Sequence, residues 1–407
     1  MLKRIAVAQL QSGMFVQELC GSWMDHPFWK SAFLIDHEED LRRLLESGIK
    51  EAWIDTDKGL DTTDGCAKEV VEQQIDRLLD IAEASPAIAV RPTGLAEELS
   101  RAAGIVAESR KAVVSMFQEA RMGNAIRADA VRPLVEEIGV SLARNREALI
   151  GLARLKTSDD YTYMHSVAVC ALMISLARQM GLDEESVSEA GLAGLLHDIG
   201  KMAVPAEILN KPGKLTDAEF AIVKTHTVEG EKMLSMGAGI SDIARDVCLH
   251  HHEKVNGGGY PHQLRSAQIS RFAKMGAVCD VYDAVTSERP YNKGWEPAEA
   301  IRKMAEWSTW HFDEVIFQAF VKAVGIYPVG SLVRLRSGRL GVIVGQSEKS
   351  LLTPVIKVFF SVTVGARIAP ETQDLSAPAC TDRITNREDP AAWGITDLDQ
   401  LWRGATA

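Results

Sequence analysis

The chain has 407 residues, more than one typical hydrophobic core organises, so two or three domains are expected. Its net charge of −11 excludes a surface that wraps a nucleic-acid polymer, while leaving room for a local basic pocket that takes a small anion. Hydrophobic residues at 46% and charged residues at 25% are the proportions of a soluble globular protein, and no apolar run approaches the roughly 18–20 residues that membrane insertion requires.

The first stretch, 1–59, mixes short strands with one helix. Gln9 and Gln11 interrupt "MLKRIAVAQLQSG" too early for a signal-peptide core. The six cysteines (Cys20, Cys66, Cys170, Cys248, Cys279 and Cys380) show no CxxC spacing, so a cytoplasmic protein with reduced thiols is expected. "EEDLRRLLESG" (38–48) predicts a helix stopped by Gly48, and "IKEAWID" (49–55) a strand. Apolar residues at helical spacing predict a helix over 67–84, and "SPAIAVRPTG" (85–94) reads as a linker. From about 96 to 325 the pattern is almost wholly helical, broken by loops at 199–213 and 256–261. Beyond "GIYPVGS" (325–331) the character changes. "SLVRLRSGRLGVIVGQ" predicts a β-hairpin turning at Ser337-Gly338, and "TPVIKVFFSV" (353–362) another strand. The expected fold is mainly α, in three parts: an α/β N-terminal module plus helical linker (1–130), a helical domain (131–325) and a β-rich C-terminal region (326–407).

Seven of the ten histidines lie between His165 and His262, which marks where to look for chemistry. His165 sits in a helix with a broad apolar face, "YTYMHSVAVCALMISLARQMG", where a lone histidine is more often a packed core residue. In "AGLLHDIGK" an apolar helix ends on His197-Asp198, and Gly200 permits a sharp exit before Lys201. His226 follows in "EFAIVKTHTVEGEKML", then the run His250-His251-His252. In "MGAVCDVYDAVTSERPY", Asp280 precedes Asp283 by three residues, on nearly one helical face.

Three readings of this set compete. Each residue could serve its own helix. A zinc site would need Cys/His pairs at a spacing these cysteines lack. Or imidazoles and carboxylates from several helices surround two divalent cations, a mixed N/O set that suits iron or manganese. Two ions roughly 3.5–4 Å apart can activate a bridging water and stabilise both oxygens of an in-line phosphoryl displacement.

"YTYMHS", "HDIGK", "LNKPGKLT" (209–216), "KTH" (224–226), "HHE" and "GYP" (251–261), "CDVYDA" (279–284) and "SERPY" (287–291) together resemble the HD-GYP domain. These domains belong to the HD superfamily of metal-dependent phosphohydrolases and degrade cyclic di-GMP in bacteria. The resemblance covers roughly 150–325, with the motifs in the family's order. "GMFV", "GSWMDHPFW" and "GIKEAWIDTDKG" are similar to the small domain of unknown role often found before HD-GYP domains.

The resemblance implies an HD-type helical bundle core and two divalent ions, iron or manganese first among them. Its implied ligands are His165, His197, Asp198, His226, His251, His252 and Asp280, with Asp198 bridging and catalytic. His250 would be an extra surface histidine. Lys201 would neutralise developing phosphate charge or assist the attacking water. Lys211 and Arg289 would hold substrate phosphates, and Gly259, Tyr260 and Pro261 would form a stiff loop offering a surface to substrate or partner. The implied reaction cuts a 3′–5′ phosphodiester of cyclic di-GMP to linear pGpG, with conversion to GMP as a further step. Implied partners are a diguanylate cyclase (GGDEF-type) protein and a second copy of the chain. Two alternatives stay open: a signalling module that binds without turnover, and a phosphohydrolase for another cyclic dinucleotide such as cyclic GMP-AMP.

Departures from the family pattern bear on these expectations. Tyr161 stands where some members carry a glutamate that helps hold a third metal, which favours two ions and a single cut. Asn256 replaces a common aspartate before the glycines. Asn292-Lys293 replaces a common arginine after "RPY", and lysine does not reproduce its bidentate fork.

Overall fold

The computed structural model describes residues 1–20, 32–47, 49–62, 65–83, 95–145, 149, 161–209, 211, 213, 215–287, 294–295, 297–347 and 352–403. The N-terminal region is an antiparallel sheet of β1 (Leu2–Ala6), β2 (Phe15–Cys20), β3 (Phe33–Leu34), β4 (Glu51–Asp55) and β5 (Cys66–Ala67), in the order β3-β2-β4-β1-β5. Helix α1 (Glu38–Glu46) lies between β3 and β4, and Ile5, Val16, Ile35, Leu44 and Ile54 form a core of their own there. Its end is set by Ser47, whose hydroxyl donates to the Leu44 carbonyl at 2.7 Å; Gly48, expected to stop it, lies outside the described residues. The helix expected over 67–84 is α2 (Lys68–Glu83), because Cys66 and Ala67 pair with β1 instead. The linker expected at 85–94 also lies outside the described residues.

The helical region comprises α3 (Leu95–Arg121), α4 (Arg132–Arg144), α5 (Tyr161–Gln179), α6 (Glu184–Leu196), α7 (Ala206–Leu209), α8 (Asp217–Lys224), α9 (His226–Ser235), α10 (Asp242–His250), α11 (Arg271–Thr286), α12 (Pro297–His311) and α13 (Glu314–Val324). Short polar residues fix where these begin. Asp183, Thr216, Ser241, Ser270 and Asp313 each accept a backbone N–H from the first turn of α6, α8, α10, α11 and α13, satisfying donors that would otherwise be orphaned. Helix α5 packs against α6, α11 and α13, with Val167, Met173 and Ile174 buried. It is apolar all round, which places it at the centre of the bundle.

The C-terminal sheet has the order β10-β6-β7-β8-β9, antiparallel throughout, from β6 (Leu332–Leu335), β7 (Arg339–Gly345), β8 (Val355–Ser361), β9 (Ala366–Asp374) and β10 (Ile384–Arg387); α14 (Leu398–Arg403) follows. The expected hairpin turns through Gly338 at φ 72°, a conformation glycine adopts without strain. Strands β9 and β10 are additions to the sequence reading: β9 is largely exposed, so it carries no apolar alternation to reveal it. One hydrophobic core runs from α3 and α4 through the bundle into β6, β7 and β8. The fold is thus mainly α, with a small antiparallel sheet at each end, and among the described residues no helix is long and apolar enough to cross a membrane.

Candidate metal centre

The candidate ligands sit largely at helix ends. His197 caps the C-terminus of α6, with Asp198 next; His251 caps the C-terminus of α10, with His252 next; His226 opens α9. Carbonyl-rich C-termini carry partial negative charge, so α6 and α10 both favour a cation at this place. His165 comes from the first turns of α5, and Asp280 and Asp283 from α11. Gly200 lets these ends meet. It is not in the left-handed region; a Cβ there would lie 1.9 Å from the His226 carbonyl oxygen and 2.4 Å from the Gly230 nitrogen. Close approach of two backbones, rather than a sharp exit, is what position 200 requires.

The imidazoles are oriented from behind. The ring Nδ1 of His197 donates to the Gly194 carbonyl (2.8 Å), that of His226 to Val223 (2.6 Å), and that of His251 to Val247 and Cys248 (both 3.0 Å). His165 Nδ1 meets Asp283 Oδ2 at 2.6 Å. Assigning the proton to Nδ1 in each case leaves the Nε2 lone pair facing inward, the tautomer a metal ligand needs.

The inward atoms form two groups. His165 Nε2 and His197 Nε2 lie 3.2 Å apart, with Asp280 Oδ1 at 2.9 Å from the first and 3.8 Å from the second. His226, His251 and His252 form the other group. Asp198 stands between them: Oδ2 is 3.4 Å from both His165 Nε2 and His197 Nε2, whereas Oδ1 is 3.4 Å from His226 Nε2 and 3.9 Å from His251 Nε2. Asp198 Oδ1, His226 Nε2, His251 Nε2 and Asp280 Oδ2 are buried with no hydrogen-bond partner. Asp198 Oδ1 faces His226 and His251, and Asp280 Oδ2 lies 3.8 Å from His252 Nδ1; buried atoms so placed would be costly unless something positive joins them, so the residues fit a divalent metal.

The electrostatics agree. Burial opposes charge on Asp198, but Lys201 and His197 hold its carboxyl well below the usual range; Asp280 is likewise held down, against burial, by His165 and His197. Burial lowers His226 to about 4 and His251 to about 3, keeping both neutral. His197 goes the other way: burial opposes its charge, yet the Asp198 and Asp280 carboxylates raise it to about 10. The carboxylates draw a proton to the position where a metal cation would otherwise sit.

Residues 135–316 match the HD domain, and residues 2–131 match a domain of unknown function, DUF3391. A cyclic di-GMP phosphodiesterase of Pseudomonas aeruginosa is 57% identical over 405 residues, spanning 99% of this chain and 96% of that protein. The chain belongs to the HD-GYP family. A cyclic di-GMP phosphodiesterase of Thermotoga maritima is 38% identical over 165 residues, 40% of this chain and 45% of that one. The 3′3′-cGAMP-specific phosphodiesterase 1 of Vibrio cholerae is 36% identical over 164 residues, 40% of this chain and 38% of that one. Among solved structures, an HDG"Y"P protein from Bdellovibrio bacteriovorus aligns at a TM-score of 0.45 and 17% identity, over 79% of this chain and 98% of that one.

The HD-GYP loop itself is pinned by Glu253, a buried residue the sequence reading passed over. Its Oε1 accepts the His262 N–H (2.7 Å) and its Oε2 that of Leu264 (2.9 Å). Gly259 folds back so closely that a Cβ would lie 2.4 Å from the Glu253 Cα, which gives this position a packing role. Tyr260 precedes Pro261 through a cis peptide bond, and its ring stacks on His252 with centroids 4.7 Å apart. Asn256 accepts the Gly258 N–H at 2.8 Å, a turn contact that the family's usual aspartate would also make.

Other candidates fall outside the ligand groups. His250 binds Asp246 (2.8 Å) and faces His262, away from the inward atoms. Lys201 is paired with Asp198 and Lys211 with both oxygens of Glu219, at 2.8 and 2.7 Å. Arg289, Asn292 and Lys293 lie outside the described residues. Asp283 is the functional residue the sequence came nearest to naming, since its i+3 spacing from Asp280 put it on the right face.

Proposed function

We propose that this protein hydrolyses one 3′–5′ phosphodiester of cyclic di-GMP to linear pGpG at a centre of two divalent ions. The observation that carries the reading is Asp198, whose two oxygens face different imidazole groups. His165, His197 and Asp280 would hold one ion, His226, His251 and His252 the other, and Asp198 would bridge them. Iron or manganese suits this mixed nitrogen and oxygen set. When bound, such ions supply Lewis-acid polarisation of a phosphoryl oxygen and acidify a water.

The chain's own residues do the rest. Asp283 holds the His165 proton on Nδ1, keeping Nε2 available, and the backbone carbonyls behind His197, His226 and His251 do the same. Lys201 is partly exposed beside Asp198, so its ammonium can face the phosphoryl oxygens as negative charge builds on them. A water oxygen forms a new bond to phosphorus as the bond to the ribose 3′-oxygen breaks; a proton equivalent to the one the water gives up goes to that oxygen, which leaves as a hydroxyl, and the phosphate stays on the 5′ side. Burial of the ligand set excludes bulk water from the inner face.

Incubating manganese- or iron-loaded protein with cyclic di-GMP, and separately with cyclic GMP-AMP, tests the proposal. Linear pGpG formed faster than the mixed product is expected. No linear product, with metal content confirmed, defeats it; preference for cyclic GMP-AMP reassigns the substrate.

A further inference from the structure

The lysines near the motifs differ in what holds them. Lys201 is tied to Asp198, and Lys211 to Glu219. Lys224, the last residue of α8, forms no ion pair among the described residues; its ammonium is placed over two aromatic rings, 4.6 Å from the Phe220 centroid and 5.6 Å from that of Tyr260. A lysine held by ring faces keeps its N–H donors available for an anion.

Its location gives that availability a use. Lys224 stands two residues before His226, and its backbone carbonyl accepts the Thr227 hydroxyl at 3.2 Å, which fixes the start of α9. Tyr260 links it to the ligand set, since the same ring stacks on His252. His252 is the more open member of its group, and Tyr260 and Lys224 are half-buried, so this edge of the centre is partly open to solvent. Resting on the hydrolase reading above, we propose that Lys224 binds the phosphate of the cyclic dinucleotide that is not being cut.

The chemistry requires such a group. The substrate carries two phosphates, and a chain of net charge −11 attracts neither from a distance. The phosphate being cut faces the ligand set and Lys201. The other lies across the macrocycle and needs a cation at the rim of the centre, where the Tyr260 ring stacks on His252. Lys224 over Tyr260 supplies it.

The test compares Lys224→Gln and Lys224→Arg with the unaltered protein on cyclic di-GMP and on bis(p-nitrophenyl) phosphate, a diester with one phosphate. Lys224→Gln should raise KM for cyclic di-GMP about tenfold or more, the loss expected for a charge-assisted hydrogen bond, with kcat within about twofold. Hydrolysis of the one-phosphate diester and metal content should not change, and Lys224→Arg should restore most of the KM. An unchanged KM overturns the assignment, as does equal loss on both substrates, which would make Lys224 a prop for Tyr260. Unaltered protein that cuts the one-phosphate diester but not cyclic di-GMP overturns the substrate reading and this assignment together; failure of Lys224→Gln alone leaves the substrate reading standing.

Discussion

Replacing Gly200 with alanine should separate the two halves of the centre. The added Cβ would lie 1.9 Å from the His226 carbonyl oxygen, so the two backbones must part by roughly 1.5 Å to reach ordinary contact at 3.4 Å. No flexible side chain stands there to give way, because the other close atoms are the Gly230 nitrogen and Cα at 2.4 and 2.7 Å. The movement falls between Asp198 and His226, whose facing atoms are 3.4 Å apart, and metal–ligand distances tolerate only about 0.2 Å. Overpacking of this kind costs about 1–3 kcal/mol, which a chain of this size survives as a fold. Gly200→Ala should therefore remain folded with a lowered Tm, lose at least one equivalent of metal by elemental analysis, and lose turnover at least about 100-fold. Gly104→Ala is the control: nothing lies within 4 Å of its Cβ position in α3, and the change should stabilise by about 0.5–1 kcal/mol. Gly200→Ala protein with full metal and undiminished turnover would refute the close-approach argument.

Asp283→Asn should weaken metal binding about 10–100-fold by loosening His165 Nδ1, with helical content unchanged; titration with manganese after chelation measures it, and an unchanged affinity counts against the positioning role. Glu253→Ala removes two backbone-to-carboxylate hydrogen bonds from a buried site and should cost about 3 kcal/mol, read by urea denaturation; a loss below about 1 kcal/mol would mean that the GYP loop is held otherwise. For chelated protein the pH dependence has a worked sign. His226 and His251, lowered to about 4 and about 3 from 6.5, refuse protons that the unfolded chain accepts, so stability falls as pH drops below 6.5, by about 1.4 kcal/mol per pH unit per histidine. His197, raised to about 10, makes the folded state richer in protons above 6.5, so its contribution is lost toward alkaline pH. Tm of the chelated protein should peak near pH 6.5, and a steady rise from pH 4 to 9 would contradict the assignment. Restoring manganese at 100 times its dissociation constant should add about 2.7 kcal/mol at pH 7, visible as a rise in Tm.

The candidate His/Asp cluster was legible because its residues are rare types in dense motifs: His197-Asp198 adjacent, His251-His252 adjacent, Asp280 three before Asp283. What the sequence could not supply was direction. Nothing in "HDIGK" says that Asp198 turns its two oxygens toward different imidazoles, since that depends on α9 meeting the end of α6 across Gly200 and Gly230. The bundle was legible from helical periodicity and the β6–β7 hairpin from Ser337-Gly338, but exposed β9 was hidden for want of an apolar face. Glu253 was missed because a buried carboxylate that binds two backbone N–H groups has no signature beyond its neighbours. Lys224 was quoted in "KTH" yet given no role, since a lysine at a helix end is ordinarily solvated and only its placement over Tyr260 distinguishes it.

These placements bear on how an acidic protein recruits a doubly charged ligand. At a net charge of −11 the long-range field works against encounter, so attraction must come from charges within a Debye length of the centre, roughly 8 Å at physiological salt. Without bound cations Asp198 is paired with Lys201, and His197, raised to about 10, is protonated beside Asp198 and Asp280; divalent cations would replace that proton and add positive charge, so metal loading would strengthen substrate binding as well as supply the chemistry. A metal-depleted centre should therefore lack that attraction for cyclic di-GMP, and equilibrium dialysis offers a direct reading. Chelated protein should show no saturable binding at concentrations where the manganese form is saturated. If chelated protein binds equally well, substrate affinity resides outside the His/Asp cluster, and that argument is wrong.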